Sequence, residues 1–265
     1  MNNLKHTRKY FFAAIIAVIT FFAAPINTHA AGDFQEHCEI SDIFLNAQLE
    51  CKQAQFELAW LFYMGFGVEQ NFETSAILFR RAADQGHADA MHNLGLFYKL
   101  GIGVLQDYSS ALYWYRQAVE HGSVEGMVSL GFMYSRGLGL DQDHEAAVYL
   151  YRKAAYLGND VAKYNLGFMY YNGRGVTQSY KQAAYWYSLA SELGHIYAPF
   201  NLGLLYLQGL GVEQNYETAM YWFRKAAERG DMDAKNNLAA MYRYGIGVAP
   251  NYELSTYWQE RMNPA

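Results

Sequence analysis

Residues 90–125 read AMHNLGLFYKLGIGVLQDYSSALYWYRQAVEHGSVE, with a Gly-x-Gly turn near the middle. Its Gly-x-Gly turn recurs every 36 residues, and the six copies begin at Gly65, Gly101, Gly137, Gly173, Gly209 and Gly245. A glycine-rich turn can cradle a phosphate, but a phosphate-binding loop follows a strand and needs no copies at a fixed interval. None of these six turns follows a strand-like run. The glycines therefore mark an internal repeat.

The first half of this repeat predicts a helix that ends at the turn. Leu94 and Tyr98 stand at helical spacing on one side, together with small residues. Gly101 supplies the left-handed residue that commonly ends a helix, and Gly103 allows the chain to turn sharply. A second helix is then expected to return along the first.

The second half of the repeat carries the signals of that returning helix. Asp107 is a residue of the N-cap type, and the equivalent positions all hold such residues: Asn71, Asp143, Ser179, Asn215 and Asn251. One side of the helix carries Ala111, Trp114, Tyr115 and Ala118, and Gly122 ends it. One helix pair cannot bury such a face alone, whereas six stacked pairs can. The aromatic residues are therefore predicted to form the core.

The repeated pattern resembles a known family. A-x-x-x-L-G-x-x-Y-x-x-G-x-G-V, followed by A-x-x-W/Y-Y/F-x-x-A and a closing glycine, is similar to the Sel-one-like repeat (SLR), a branch of the tetratricopeptide-like superfamily. The resemblance implies an all-α, right-handed α-solenoid with six helix-turn-helix repeats at 54–89, 90–125, 126–161, 162–197, 198–233 and 234–262. It also implies a protein of the adaptor or scaffold class, since family members mostly hold other proteins. Exported bacterial members are associated with envelope partners and host contact.

The first thirty residues predict an export signal. Lys5, Arg8 and Lys9 precede the uncharged run 10–24, and Thr28-His29-Ala30 is a small-residue cleavage site. The run is shorter than the ~20 residues that a helix needs to cross a bilayer. We therefore expect residues 1–30 to be removed and the mature protein to be soluble and periplasmic or secreted. The alternative is an uncleaved membrane anchor.

Residues 31–53 lack the repeat pattern and are predicted to cap the array at its N-terminal end. Ile40, Ile43, Phe44 and Leu45 are expected to lie over the first helix pair. Both cysteines of the chain, Cys38 and Cys51, fall in this segment. In an oxidising compartment they are expected to form a disulfide that adds roughly 3 kcal/mol, and two buried free thiols are the alternative.

Charge and motif content exclude several function classes. The chain has 20 Lys and Arg against 25 Asp and Glu, and loss of residues 1–30 would remove three basic and no acidic residues, leaving a balance of −8. An acidic surface disfavours nucleic acid and anionic lipid as partners. No catalytic triad, paired-carboxylate motif or metal-ligand spacing stands out, so we expect no enzyme activity, no cofactor and no metal. The sequence does not indicate an oligomeric state.

The turn between repeats holds a helix-capping position. His87 and His195 occupy it, and Ser123, Asn159 and Asp231 stand there in other repeats. Both histidines are therefore predicted to be structural. At the other end of the array, Gln259 replaces the aromatic residue of earlier repeats, as suits a face that no further repeat covers.

A ladder of asparagines on the first helices is the strongest binding signal. It consists of Asn93, Asn165, Asn201 and Asn237. By analogy with tetratricopeptide packing this position faces a concave surface, where a carboxamide can hold an extended peptide backbone. The aromatic and apolar residues expected around it are Tyr164, Phe168, Tyr171, Phe200 and Leu204, with Lys99, Arg136 and Arg243 as isolated cations. Alternatively, each asparagine bonds to a neighbouring backbone and fixes repeat geometry.

These features predict an exported, non-enzymatic scaffold that binds a protein or peptide. The alternative function is a module that binds envelope glycan, such as peptidoglycan, or that regulates a cell-wall enzyme, because aromatic rings with amides also suit sugars.

Overall fold

The computed structural model describes residues 43, 47 and 51–261, and between residues 51 and 261 it contains twelve α-helices and no strand. Ten of these helices have 13 residues. Their bounds are α1 Lys52–Met64, α2 Phe72–Asp84, α3 Ala88–Leu100, α4 Tyr108–Glu120, α5 Val124–Arg136, α6 His144–Tyr156, α7 Asp160–Asn172, α8 Tyr180–Glu192, α9 Ala198–Gln208, α10 Tyr216–Glu228, α11 Met232–Tyr244 and α12 Tyr252–Glu260. The predicted all-α solenoid class is confirmed.

In the second and fourth repeats the two glycines of the turn have different roles. Gly101 ends α3 with φ 70°, and its N–H donates to the carbonyl of Phe97 at 2.8 Å. Gly103 lies against the preceding helix pair, because a β-carbon there would sit 2.2 Å from the carbonyl oxygen of Phe72. The same close approach occurs at Gly175, where the distance to the carbonyl oxygen of His144 would be 2.3 Å. The first glycine ends a helix, and the second lets consecutive repeats touch.

The six predicted N-caps of the second helices are confirmed. Asn71 Oδ1 accepts from the backbone N–H of Thr74 at 2.8 Å, and Asp107 accepts from the two N–H groups of Ser109 and Ser110. The other four caps are Asp143, Ser179, Asn215 and Asn251. Each cap fixes where the returning helix starts, which sets the register of the pair.

Glycines inside the first helices allow close packing against an aromatic ring of the second helix. A β-carbon on Gly167 would lie 2.6 Å from the ring of Tyr187, which is 1% exposed. The equivalent pairs are Gly95 with Tyr115, Gly131 with Tyr151 and Gly203 with Phe223. Buried rings of this kind confirm that aromatic residues build the core.

The first and last repeats use a different pair of small residues. They carry alanine in place of the helical glycine, at Ala59 and Ala239. Serine then stands on the second helix, and its hydroxyl donates to the alanine carbonyl: Ser75 to Ala59 at 2.7 Å and Ser255 to Ala239 at 2.9 Å. In these two repeats a side-chain hydrogen bond therefore joins the second helix to the first.

The chain divides into two compact units at Ser123 and Val124. The first unit contains α1–α4, and the second contains α5–α12. In the first unit Ile43 and Ala47 are helical and pack against the core, and Gln55 donates to the carbonyl of Ala47 at 3.2 Å. The N-terminal cap over residues 31–53 stays a prediction. Ile40, Phe44, Leu45, Cys38 and the export signal lie outside the described residues.

Candidate protein-binding face

Three of the four ladder asparagines bond back to their own helix. The Nδ2 of Asn93 donates to Asp89 O at 2.7 Å, and that of Asn237 donates to Asp233 O at 2.8 Å. Asn201 makes the equivalent bond to the carbonyl of Tyr197 at 3.4 Å. These bonds use the amide nitrogen and leave the amide oxygen as an acceptor. These three asparagines therefore stabilise their own helices, and each still has an amide oxygen that can accept a hydrogen bond from a ligand.

The ladder positions differ in how accessible they are. Asn93 belongs to the first unit and is 8% exposed. In the second unit Asn165, Asn201 and Asn237 are half-buried. Asn165 makes no hydrogen bond among the described residues. The accessible asparagines are thus those of the second unit.

Four residues of the second unit form what we term the Tyr164 cluster: Tyr164, His195, Tyr197 and Asn201. The rings of Tyr164 and His195 stack with centroids 4.3 Å apart and planes 15° apart. Tyr197 packs beside both, with its ring centroid 6.4 Å from Tyr164 and 6.0 Å from His195. The Nδ2 of Asn201 donates to the hydroxyl of Tyr164 at 3.4 Å. The cluster therefore joins α7 to the start of α9.

His195 is a buried, uncharged member of the cluster. Its pKa is lowered to about 4, chiefly because burial disfavours the charged ring; the nearby Asp160 carboxylate opposes this effect, and the charge of Arg229 adds to it. Its Nδ1 has no hydrogen-bond partner among the described residues. At neutral pH the ring therefore stacks as a neutral imidazole.

The capping role predicted for His87 is confirmed, and the one predicted for His195 is wrong. The Nδ1 of His87 accepts from the N–H of Ala90 at 3.2 Å. After His195 the residue that would begin the helical hydrogen bonds is Pro199, which has no N–H, so α9 begins only at Ala198 with 11 residues. The carbonyl of His195 instead accepts from Nη1 of Arg229 at 3.1 Å.

Most of the apolar residues predicted around the ladder are half-buried. Tyr171 packs edge-on against Tyr180 with centroids 5.2 Å apart, and Phe200 packs against Phe223 at 5.8 Å. Leu204 lies beside the same core cluster as Phe200. Phe168 is the exposed member of the predicted set, and the Arg174 guanidinium lies 5.3 Å from its ring centroid.

The three predicted cations do not form part of the cluster's described contacts. Lys99, in the first unit, is half-buried, and burial lowers its pKa. Arg136 lies 5.7 Å from the ring centroid of Phe132, and Arg243 is exposed in the last turn of α11.

Tyr197 was not among the residues predicted for the binding surface, although it is 55% exposed and the most accessible member of the cluster. Two signals point to it. Three other repeats carry an acidic residue in the first helical turn at this position, namely Asp89, Glu125 and Asp233, where this repeat carries a tyrosine. Pro199 follows two residues later and interrupts the start of the helix.

Neither a metal centre nor a membrane span occurs in the part of the chain that the structure describes. Over residues 51–261 no three His, Cys, Asp or Glu side chains converge as metal ligands would. Over the same range no helix combines the length and apolar character needed to cross a bilayer.

Stacked helix pairs of 36 residues with no singular chemical centre in the described range define an α-solenoid repeat protein of the tetratricopeptide-like class. The family model described as the Sel1 repeat matches residues 52–87, 88–123, 124–159, 160–195, 196–231 and 233–261. This chain belongs to the Sel1 repeat family. The matched repeats begin one or two residues before the predicted boundaries, and the first four matches begin at the first residue of a first helix. Repeats of this family usually form non-enzymatic scaffolds that bind other proteins.

Two solved structures are similar over most of this chain. An Escherichia coli protein with an SLR fold, described as a protective antigen of uropathogenic strains, is 36% identical with a TM-score of 0.80. The match covers 85% of this chain and 48% of the E. coli chain, so this protein spans about half its length. A Sel1 repeat protein from Oxalobacter formigenes is 30% identical with a TM-score of 0.74, and the match covers 82% of this chain and 86% of that one. No curated protein matches this chain.

Proposed function

We propose that this protein is a non-catalytic scaffold that binds a protein or peptide partner through the first helices of its second unit. The contact is centred on the Tyr164 cluster and extends to Asn165 and Phe168. Its location is the periplasm or the exterior of a bacterial cell. Export rests on the charged start and the short apolar run of residues 1–30.

The main support for the proposal is the exposed ring of Tyr197, which packs against the rings of His195 and Tyr164. Tyr197 lies against His195 and Tyr164, and both are held by core packing. A tyrosine so held offers a large contact area at a low cost in side-chain entropy, which is why tyrosine is enriched in binding surfaces. Beside it, the amide oxygens of Asn165 and Asn201 can accept from the N–H groups of an extended peptide.

The test compares the double variant Tyr197→Ala/Asn165→Ala with the wild-type protein. Each is used to capture partners from a bacterial envelope extract, and the affinity of the enriched partner is then measured with purified components. We expect the double variant to bind that partner about 1–3 kcal/mol more weakly, the range for an aromatic anchor and a hydrogen bond. Its stability should change little, because Tyr197 is largely exposed and Asn165 makes no hydrogen bond among the described residues.

The matched control is Tyr252→Ala, which removes a 70% exposed tyrosine at the start of α12. It should bind like the wild type. Equal affinity of all three proteins for every enriched partner would refute the assigned surface. Export has its own test: the intact mass of the mature protein should correspond to a chain that begins near Ala31, and a full-length species held in the membrane would contradict it.

A further inference from the structure

The second helices carry a row of exposed tyrosines at the 36-residue interval. They are 42% to 57% exposed, and they are Tyr113, Tyr149, Tyr185, Tyr221 and Tyr257. Each precedes the core position of the repeat. Tyr185 and Tyr221, for example, stand edge-on to the tryptophans that follow them, with centroids 5.2 and 5.0 Å apart. Packing does not require an aromatic residue at a position that faces solvent.

Beside Tyr221 lies a recess of about 260 Å³. Its polar lining consists of Glu217, Arg224 and Tyr242, and Gly247 and Val248 close one side. In the first unit an equivalent recess of about 240 Å³ is lined by Glu73, Ile77, Arg80 and Tyr98, each 144 residues earlier in the chain. Both are smaller than the ~300–1,000 Å³ of sites for drug-sized ligands, so they suit a ligand of one ring.

The polar groups of the recess are only partly satisfied. Arg224 donates through Nη2 to the hydroxyl of Tyr242 at 2.9 Å, which leaves its other N–H groups as donors. The Glu217 carboxylate makes no hydrogen bond or ion pair among the described residues. Lys225 lies 4.7 Å from the ring centroid of Tyr221 and fixes one side of that ring.

One carboxylate beside one guanidinium favours a neutral ligand that both donates and accepts. A polyanion is further disfavoured by the chain's net charge of −5. Sugar hydroxyls donate and accept through the same atom, and the apolar face of a sugar ring suits an exposed aromatic ring. A repeated recess also suits a polymer of repeating rings, because several weak contacts then act together.

From this geometry we infer that the second helices of the second unit bind a neutral polysaccharide, with one sugar ring over Tyr221 and its hydroxyls on Glu217 and Arg224. The third repeat carries the same set as Glu145, Tyr149 and Arg152, and Arg152 donates to Tyr170 at 3.2 Å. This site is separate from the first-helix surface that is proposed to bind protein.

The chain offers a matched control for the test at Tyr221. Tyr185 is 55% exposed where Tyr221 is 50% exposed, and both stand next to a tryptophan. The fourth repeat, however, has Lys181 and Ser188 at the positions of the glutamate and the arginine. Tyr185 therefore has the exposed ring without the polar groups of the recess.

Calorimetric titration with two soluble probes, cellohexaose and hexa-N-acetylchitohexaose, tests the site. We expect the wild type to bind at least one probe, Tyr221→Ala to bind it about tenfold more weakly, and Tyr221→Phe and Tyr185→Ala to stay within twofold. Circular dichroism melts confirm that all variants are folded. Absence of binding to both probes at millimolar concentration would overturn the inference. So would an equal loss in Tyr221→Ala and Tyr185→Ala, or binding that Tyr221→Ala leaves unchanged.

Discussion

At Gly167 the first helix has no room for a β-carbon, because the buried ring of Tyr187 would lie 2.6 Å away. Gly167→Ala should therefore force the ring or the helix to move and destabilise the protein by about 1–3 kcal/mol, although alanine is the better helix former. Urea unfolding followed by circular dichroism measures the change.

The reverse substitution Ala239→Gly is the control for that prediction. In the last repeat this alanine faces the position of Gln259, where internal repeats have an aromatic ring. The substitution should cost only about 0.5–1 kcal/mol, the ordinary penalty for glycine in a helix. If Gly167→Ala were stabilising, helix propensity rather than crowding would govern the position.

Residue types alone predicted the parts of the fold that depend on one residue at a time. The capping role of Asn71 and the left-handed role of Gly101 follow from their chemistry, and both are confirmed. Tyr113 and Tyr115 show the limit, since one is 55% exposed and the other fully buried. Three aromatic residues in succession cannot all face one side of a helix, and the rotation of the helix decides which one faces solvent.

At the scale of the element, Pro199 changes how α9 begins. The carbonyl of His195 loses its helical donor and is satisfied by Arg229 from the turn before α11. Removal of the guanidinium by Arg229→Ala should leave this carbonyl without a partner and cost about 1–2 kcal/mol.

A double-mutant cycle with Pro199→Ala tests this account. Alanine at position 199 restores an N–H that can donate to His195, as Met91 does to His87 at 3.0 Å in the second repeat. Arg229→Ala should then lower the free energy of unfolding by less in the Pro199→Ala background than in the wild type. Equal costs in both backgrounds would show that the guanidinium stabilises the protein by another route.

The candidate site was only partly predictable because it depends on two elements at once. Tyr164 and Asn201 were both expected on one surface, and the structure joins them by a hydrogen bond. Tyr197 lies just before α9, whose late start follows from Pro199. A prediction made from equivalent positions in all six repeats misses a feature that only one repeat has, such as Pro199 here.

At the scale of the whole molecule, buried histidines make stability depend on pH. The pKa of His195 is about 4 in the folded protein against 6.5 as its ordinary value, so between these values the unfolded chain binds a proton that the folded chain does not. The contribution of uncharged His195 to the free energy of unfolding is therefore complete above pH 6.5 and is lost as the pH falls towards 4. The loss amounts to up to about 3 kcal/mol.

His195→Phe keeps a ring in the stack and removes the titration, so its stability should fall less steeply between pH 6.5 and 4.5 than that of the wild type. Some slope should remain, because burial also lowers the pKa of His87 and of His92. Parallel curves for the His195→Phe variant and the wild type would contradict the assignment to His195.

The arrangement of helices within each unit also bears on how fast the protein folds. In each unit the most extensive helix contacts join helices that are consecutive in the chain, such as α1 with α2 and α7 with α8. Each contact therefore closes only a short loop, and the loss of chain entropy before the first contacts form is small. Proteins dominated by such local contacts fold in microseconds to milliseconds. Because the contacts join helices that are adjacent in the chain, folding can begin at any helix pair and does not require contacts between residues far apart in the sequence.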